Sequence, residues 1–166
     1  MLKGLTLNEG LRELGANAFR KLESLTSLTV PSSLKTIPEG AFRWLSSLSS
    51  LTFNEGLECI GRYAFSGSEK LGEVSLPKTL KRVCEGAFEK SPLLSKLTLN
   101  DGLEEISYNA FADSSLLRRV HLPDSIKSIK KGAFPDSQRL TLYCRDPKNI
   151  PEGWQLEDEI KIAQWE

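Results

Sequence analysis

The residues of this chain able to do covalent or metal chemistry are few and scattered. Its three cysteines, Cys59, Cys84 and Cys144, are odd in number, and none sits at a paired spacing from another. Cys59 and Cys84 fall in consecutive segments of the chain but two residues out of step. That offset separates two Cα atoms too far for good disulfide geometry, so free thiols are expected. A structural zinc site wants four clustered ligands, and the chain holds a single histidine, His121. A Cys/His or Ser/His nucleophile is weakly supported for the same reason, and no glycine-rich phosphate loop opens a helix. Catalysis is not expected, and neither a cofactor nor a metal is called for. Asn8-Glu9-Gly10, Asn54-Glu55-Gly56 and Asn100-Asp101-Gly102 could suggest calcium. Their equivalent oxygens lie two segments apart, about 10 Å, whereas one ion needs oxygens at about 2.5 Å. Turn formation is the expected role of these triplets.

The elements that position these residues follow from one period. Phe19, Phe42, Phe65, Phe88, Phe111 and Phe134 each follow Ala and recur every 23 residues. Cut at Leu2, the chain gives six copies spanning 2–139, followed by a tail of different composition over 140–166. A unit this short cannot bury its own core, so successive units must stack and share one. The second copy carries the apolar frame Leu25, Leu28, Val30, Leu34, Ile37, Ala41, Phe42, and the fourth repeats it as Leu71, Val74, Leu76, Leu80, Val83, Ala87, Phe88. Leu28 and Val30 alternate with small polar residues, the period of a strand with one buried face. Such strands stack in parallel at about 4.8 Å, so six coils make a rod about 30 Å long. Leu34 and Ile37 fit a second short extended segment, the Ala-Phe pair fits a short helical turn, and the six rings are expected to stack down the core.

Leu25-Thr26-Ser27-Leu28-Thr29-Val30 resembles the L-x-x-L-x-L frame of leucine-rich repeats. The BspA-like subclass, with a 23-residue unit, Pro after the strand and Ala-Phe near the middle, is a closer match, as in Leu122-Pro123-Asp124-Ser125-Ile126 leading to Ala133-Phe134. The resemblance covers residues 2–139 and implies a right-handed leucine-rich-repeat solenoid, an α/β fold of parallel strands with short helical turns. It departs from the pattern in two places. Gly10, Ser33, Gly56, Thr79, Gly102 and Ser125 stand where ordinary leucine-rich repeats have Asn. Leu22, Leu45, Ser68, Ser91, Ser114 and Ser137 stand where the subclass often has Cys, which removes a buried thiol ladder.

A 46-residue alternation lies over the 23-residue one. Odd copies use the Asn-acid-Gly turn, and even copies use Pro31-Ser32-Ser33, Pro77-Lys78-Thr79 and Pro123-Asp124-Ser125. Gly permits positive φ, whereas Pro fixes φ and removes a donor. Charge alternates too: Arg12, Lys35, Glu58, Lys81, Glu104 and Lys127 share one repeat position. From Lys35 onward opposite charges should meet at every coil junction, and a slipped coil would oppose like charges. Irregularities such as Tyr63 and Trp44 read as natural drift rather than engineering.

The outward strand positions form two rows, Gly4, Ser27, Ser50, Glu73, Lys96, Arg119 and Thr6, Thr29, Thr52, Ser75, Thr98, His121. The first half is a hydroxyl face, ordinary for strands. The bend toward charge has no such packing motive, so Glu73, Lys96, Thr98, Arg119 and His121 are the candidate binding residues. A competing account has the acidic tail, with five acidic residues and one basic over 150–166, fold onto the basic 117–149, with eight basic and three acidic. Leu140-Thr141-Leu142 reads as a seventh strand reached by a connection three residues short, with Trp154 and Trp165 covering the open end of the core. Tyr143-Cys144, Pro151-Glu152-Gly153-Trp154 and Trp165 are also similar to the ending of some bacterial BspA-like arrays, so the tail is read as a cap.

The 22 basic and 22 acidic residues cancel. This argues against nucleic-acid binding or anionic-membrane binding driven by global charge. No apolar run reaches the length of a transmembrane helix. No secretion signal precedes the repeats, and the start in repeat phase at Leu2 suggests a trimmed chain. The resemblance implies a secreted or surface-displayed bacterial protein that uses a non-enzymatic protein- or glycan-binding sheet in adhesion, here expected as a monomer. The alternatives are a structural spacer that binds nothing and a targeting module of a larger enzyme.

Overall fold

A computed structural model describes residues 2–134, 139–148, 150–156 and 160–165. In it each copy makes one turn of a parallel β-solenoid. Along the front of the rod run β1 (Gly4–Thr6), β2 (Ser27–Val30), β4 (Ser50–Phe53), β6 (Glu73–Ser75), β8 (Lys96–Thr98), β10 (Arg119–His121), β12 (Thr141–Cys144) and β13 (Lys161–Gln164). A second row consists of β3 (Thr36–Ile37), β5 (Cys59–Ile60), β7 (Arg82–Val83), β9 (Glu105–Ile106) and β11 (Ser128–Ile129). The second row is one continuous sheet; in front, hydrogen bonding groups the strands as β1-β2-β4, β6-β8 and β10-β12-β13. The groups still abut, β4 against β6 and β8 against β10.

Register follows the period. Leu28 pairs with Leu51 and Val74 with Leu97, each at the 23-residue offset. In β2, Leu28 and Val30 are buried while Ser27 and Thr29 are exposed, so the apolar alternation is what turns one face inward. Leu25, Leu48, Leu71, Leu94, Leu117 and Leu140 bury a further column. The rings stack as expected: from Phe19 to Phe134, successive centroids lie 5.5, 5.3, 5.3, 5.5 and 5.7 Å apart, with interplanar angles from 4° to 14°.

The Ala-Phe segments are not helical turns. Two residues of each of the first five arches, four positions apart, and Gly132 of the sixth take left-handed backbone. The first set is Asn17, Gly40, Tyr63, Gly86, Asn109 and Gly132, at φ of 53° to 69°, and the second runs Lys21, Trp44, Gly67, Lys90 and Asp113, at 61° to 83°. A right-handed helix cannot pass through such residues. Alternate amides leave the turn for the next coil instead: the N–H of Phe19, Phe42, Phe65, Phe88 and Phe111 donates to the carbonyl of Ala41, Ala64, Ala87, Ala110 and Ala133, at 2.8 to 2.9 Å. The arch is thus a third ladder between coils. Trp44 and Tyr63 fit the same logic, for their rings lie over Gly67 and Gly86 of the following coil, where a Cβ would collide with them.

The two turn chemistries interlock. Gly10, Gly56 and Gly102 N–H groups donate to the hydroxyls of Ser33, Thr79 and Ser125, which donate to the carbonyls of Leu11, Leu57 and Leu103. Glu9 accepts from the backbone and side chain of Ser32 and from Asn54, and Glu55 accepts from the amides of Lys78 and Thr79. The acids therefore tie odd turns to even ones. Of the charge ladder, Lys35–Glu58 (3.4 Å), Lys81–Glu104 (4.0 Å) and Glu104–Lys127 (2.8 Å) are ion pairs; the Glu58–Lys81 junction is not closed by one among the described residues.

The end of the array differs from the sequence reading. Val120 pairs with Leu142, and Leu140 fills the place of Leu117, so the seventh turn is one residue short rather than three. Trp154 bridges to Ile129 beside the second row, packs on the core, and donates its indole N–H to the Ile126 carbonyl at 3.3 Å. Trp165 does not cover the core. It follows β13 on the front and remains 39% exposed. The interaction expected of the acidic tail involves Glu157, Asp158, Glu159 and Glu166, which lie outside the described residues, as does Ser137.

Candidate binding face

A strand facing solvent on one side offers every second side chain to a partner, and parallel pairing lines these up across coils. The front sheet does this along the whole rod. Its first half presents Ser27, Thr29, Ser50 and Thr52, a flat hydroxyl surface of β formers.

In the charged half Lys96 is engaged by an acid, whereas Arg119 and His121 stand beside the tail strands. Glu73 and Lys96 are register partners, and their side chains meet at 2.6 Å. That contact is exposed and of modest energy, but it neutralises Lys96. Thr98 lies beside Ser75, two register pairs along on the same face. Arg119 and His121 belong to another group. β12 and β13, which come from the tail, continue the front sheet past them, pairing Arg119 with Thr141 and then Lys161, and His121 with Tyr143 and then Ala163.

His121 stacks on Tyr143, with ring centroids 5.0 Å apart and planes 16° from parallel, and meets Trp165 edge-on at 5.9 Å. Arg119 and Lys161 flank Thr141 on the same face. Three adjacent aromatic rings and two cationic side chains, standing on paired backbone, form an amphipathic exposed surface. Such a surface can stack on a planar or sugar ring and pair with an anion. Tyr143, Lys161 and Trp165 were missed by sequence reasoning because they lie outside the 23-residue frame. Their signal is the alternation Thr141-Leu142-Tyr143-Cys144, in which Leu142 and Cys144 turn inward and Thr141 and Tyr143 stand on the outer face.

Behind this end, a cleft of about 300 Å³ lies between the last coil and the tail, lined by Leu122, Pro123, Ile126 and Trp154, with the Arg145–Asp124 ion pair (2.6 Å) in its wall. On the second row, the sulfurs of Cys59 and Cys84 lie 3.7 Å apart despite their two-residue offset, and both remain free thiols. The thiols are free, as the offset leads one to expect, but the offset does not keep their sulfurs from touching. Past the end of β7, the Cys84 amide donates to the Ile60 carbonyl, which sets its side chain next to Cys59. The hydrogen bond with Cys84 holds the Cys59 thiol down at about 6, with help from Arg82 and against burial. The Cys84 thiol is correspondingly pushed up, first by Cys59 and then by burial. Cys144 is raised by burial. Among the described residues no cluster of three or more His, Cys, Asp or Glu is placed to hold a metal ion, and no helix is long and apolar enough to cross a membrane.

Residues 12–141 match the model of the BspA-type leucine-rich repeat region, in six copies. No curated protein matches the chain. Among solved structures, a leucine-rich repeat protein of T. pallidum is 26% identical with a TM-score of 0.68, over 85% of this chain and 64% of its own. The pneumococcal vaccine antigen PcpA is 23% identical at a TM-score of 0.66, over 87% of this chain and 43% of its own. A leucine-rich cell surface protein of Faecalibacterium prausnitzii is 20% identical at a TM-score of 0.58, over 88% and 48% respectively. The last two likenesses concern the fold alone. The chain spans less than two thirds of each of these three proteins.

Proposed function

The chain belongs to the BspA-type leucine-rich repeat family, and from that membership we propose that it is a non-enzymatic recognition domain, monomeric, of a bacterial surface or secreted protein. Its ligand is a protein or glycan, held at the tail end of the front sheet in an adhesion-like role. The observation that carries this reading is the grouping of Arg119, His121, Tyr143, Lys161 and Trp165 on one exposed face. Bringing three rings and two cations together at a solvent face does nothing for the core, and aromatic and arginine side chains are the residues that anchor interfaces. The surface setting is supported by the cell-surface description of the F. prausnitzii protein.

The Glu73–Lys96 pair favours a second reading for the middle of the rod, in which it is a spacer that satisfies its own charges. A screen of the purified chain against extracellular-matrix proteins and a glycan array tests both, alongside the variant Lys96→Glu/Arg119→Glu/His121→Glu. Capture of the parent chain and its loss in the variant supports recognition; capture of neither supports the spacer.

A further inference from the structure

We propose that Cys59 and Cys84 form a redox modification site, a dithiol that closes to a disulfide between the third and fourth coils by exchange with a small disulfide compound such as oxidised glutathione. Both cysteines are half-buried, on the second row and away from the front sheet, so a small molecule can reach them. Their sulfurs are 3.7 Å apart, so about 1.7 Å must close to reach a disulfide of about 2.05 Å; because Cys84 lies two residues along from the register partner of Cys59, a backbone shift accompanies the side-chain rotation.

The pair is also chemically asymmetric, as exchange requires. Arg82 is the register partner of Cys59, and its charge favours a thiolate there. Glu105, the register partner of Arg82, acts in the opposite direction on both cysteines. Either sulfur can be the donor in their contact, and the contact together with the Arg82 charge beside Cys59 favours the thiolate on Cys59. Cys59 is therefore the attacking sulfur and Cys84 the resolving one.

The steps balance. The Cys59 thiolate attacks one sulfur of the glutathione disulfide, and its S–S bond breaks to release one glutathione thiolate. Cys84 then gives up its proton to solvent or to that thiolate. Its sulfur attacks the Cys59 sulfur, and a second glutathione thiolate leaves. Two protein thiols are oxidised by two electrons, and one glutathione disulfide is reduced to two thiols. Reduced glutathione or a dithiol reverses the sequence.

The test uses the full chain, oxidised glutathione, acid quenching and peptide mass mapping without reduction. The expected product joins the peptides of Cys59 and Cys84 and holds no glutathione, while Cys144 stays free. In Cys84→Ser the resolving step is lost, and glutathione should accumulate on Cys59. The parent chain alone decides the matter, so the result does not depend on how the variant folds. Iodoacetamide should modify Cys59 at neutral pH at least about tenfold faster than Cys144, in line with its thiolate character. A parent chain that stays glutathionylated at Cys59 without the cross-link, links Cys144 instead, or does not react at all overturns the proposal.

Discussion

Replacing Phe88 by Ala removes the central ring of the stack and tests whether stability resides in the contacts between coils. Phe88 is fully buried and lies between Phe65 at 5.3 Å and Phe111 at 5.5 Å, with planes 8° and 4° from parallel. Truncating a buried Phe to Ala costs about 3–5 kcal/mol through lost transfer energy and the cavity left behind. Each ring pair accounts for about 0.5–1.5 kcal/mol beyond the area buried, and this substitution loses two of them. Phe19 is only half-buried and has one ring neighbour, Phe42, at 5.5 Å. Phe19→Ala should therefore cost less than half as much, about 1–2 kcal/mol. Because contacts run between adjacent coils apart from such exceptions as the Glu9–Asn54 hydrogen bond, the central cut should also uncouple the two halves of the rod and lower the steepness of unfolding. Urea unfolding followed by circular dichroism, with hydrogen exchange read coil by coil, measures both effects. Equal costs at the two positions, or unaltered cooperativity in Phe88→Ala, would refute the reasoning.

Gly86→Ala places a Cβ at φ 60° against the Tyr63 ring; the backbone term is about 1–2 kcal/mol and displacement of the ring adds to it, so the cost in thermal or urea unfolding should fall to the backbone term alone in a Tyr63→Ala background. Thr79→Val breaks the hydroxyl link between the Gly56 amide and the Leu57 carbonyl and should destabilise by about 1–3 kcal/mol in urea, more than Thr29→Val on the open face. Glu9 is held below the usual carboxylate range chiefly by the Ser32 hydroxyl, and Glu104 chiefly by its hydrogen bond from Lys127. A depressed folded-state value means the contribution is present above the unfolded glutamate value of about 4.3 and is lost as pH falls through the lower folded value. NMR titration should place both midpoints below that value, and Ser32→Ala and Lys127→Ala should each return their partner toward it.

Much of the fold is legible in the sequence because it is carried by residues repeated six times. Leu28, Val30 and Phe42 each occupy a position whose burial every neighbouring coil demands, and the 23-residue spacing alone implies parallel register. The Ala-Phe arch is harder to read, since a short Ala-Phe run suits a helical turn as well. The decisive clue is the alternation Asn17, Gly40, Tyr63, Gly86, Asn109 and Gly132. Asn and Gly tolerate left-handed backbone, but Tyr63, Lys21 and Trp44 take it only because the inter-coil ladder imposes it. The candidate face was half legible. Arg119 and His121 stand in the frame, whereas which tail residues come to lie beside them depends on the register of β12 and β13, which the repeat does not set. Lys96 was grouped with them on charge alone, and only the strand register reveals that Glu73 engages it. The sulfur contact is not legible in the two-residue offset, which bears on Cα spacing and not on where the sulfurs come to lie.

The most direct measurement is fluorine NMR on fluorotryptophan-labelled protein, titrated with whichever matrix protein or glycan the screen captures. The chain's three tryptophans report from three places, Trp44 on the arch, Trp154 in the tail against the core, and Trp165 on the front face, and Trp→Phe substitutions assign them. The account expects the Trp165 resonance to shift saturably, the Trp44 resonance to stay in place, and the shift to vanish in Arg119→Glu. A ligand that moves Trp44 and leaves Trp165 unchanged would contradict it and place recognition on the opposite side of the rod.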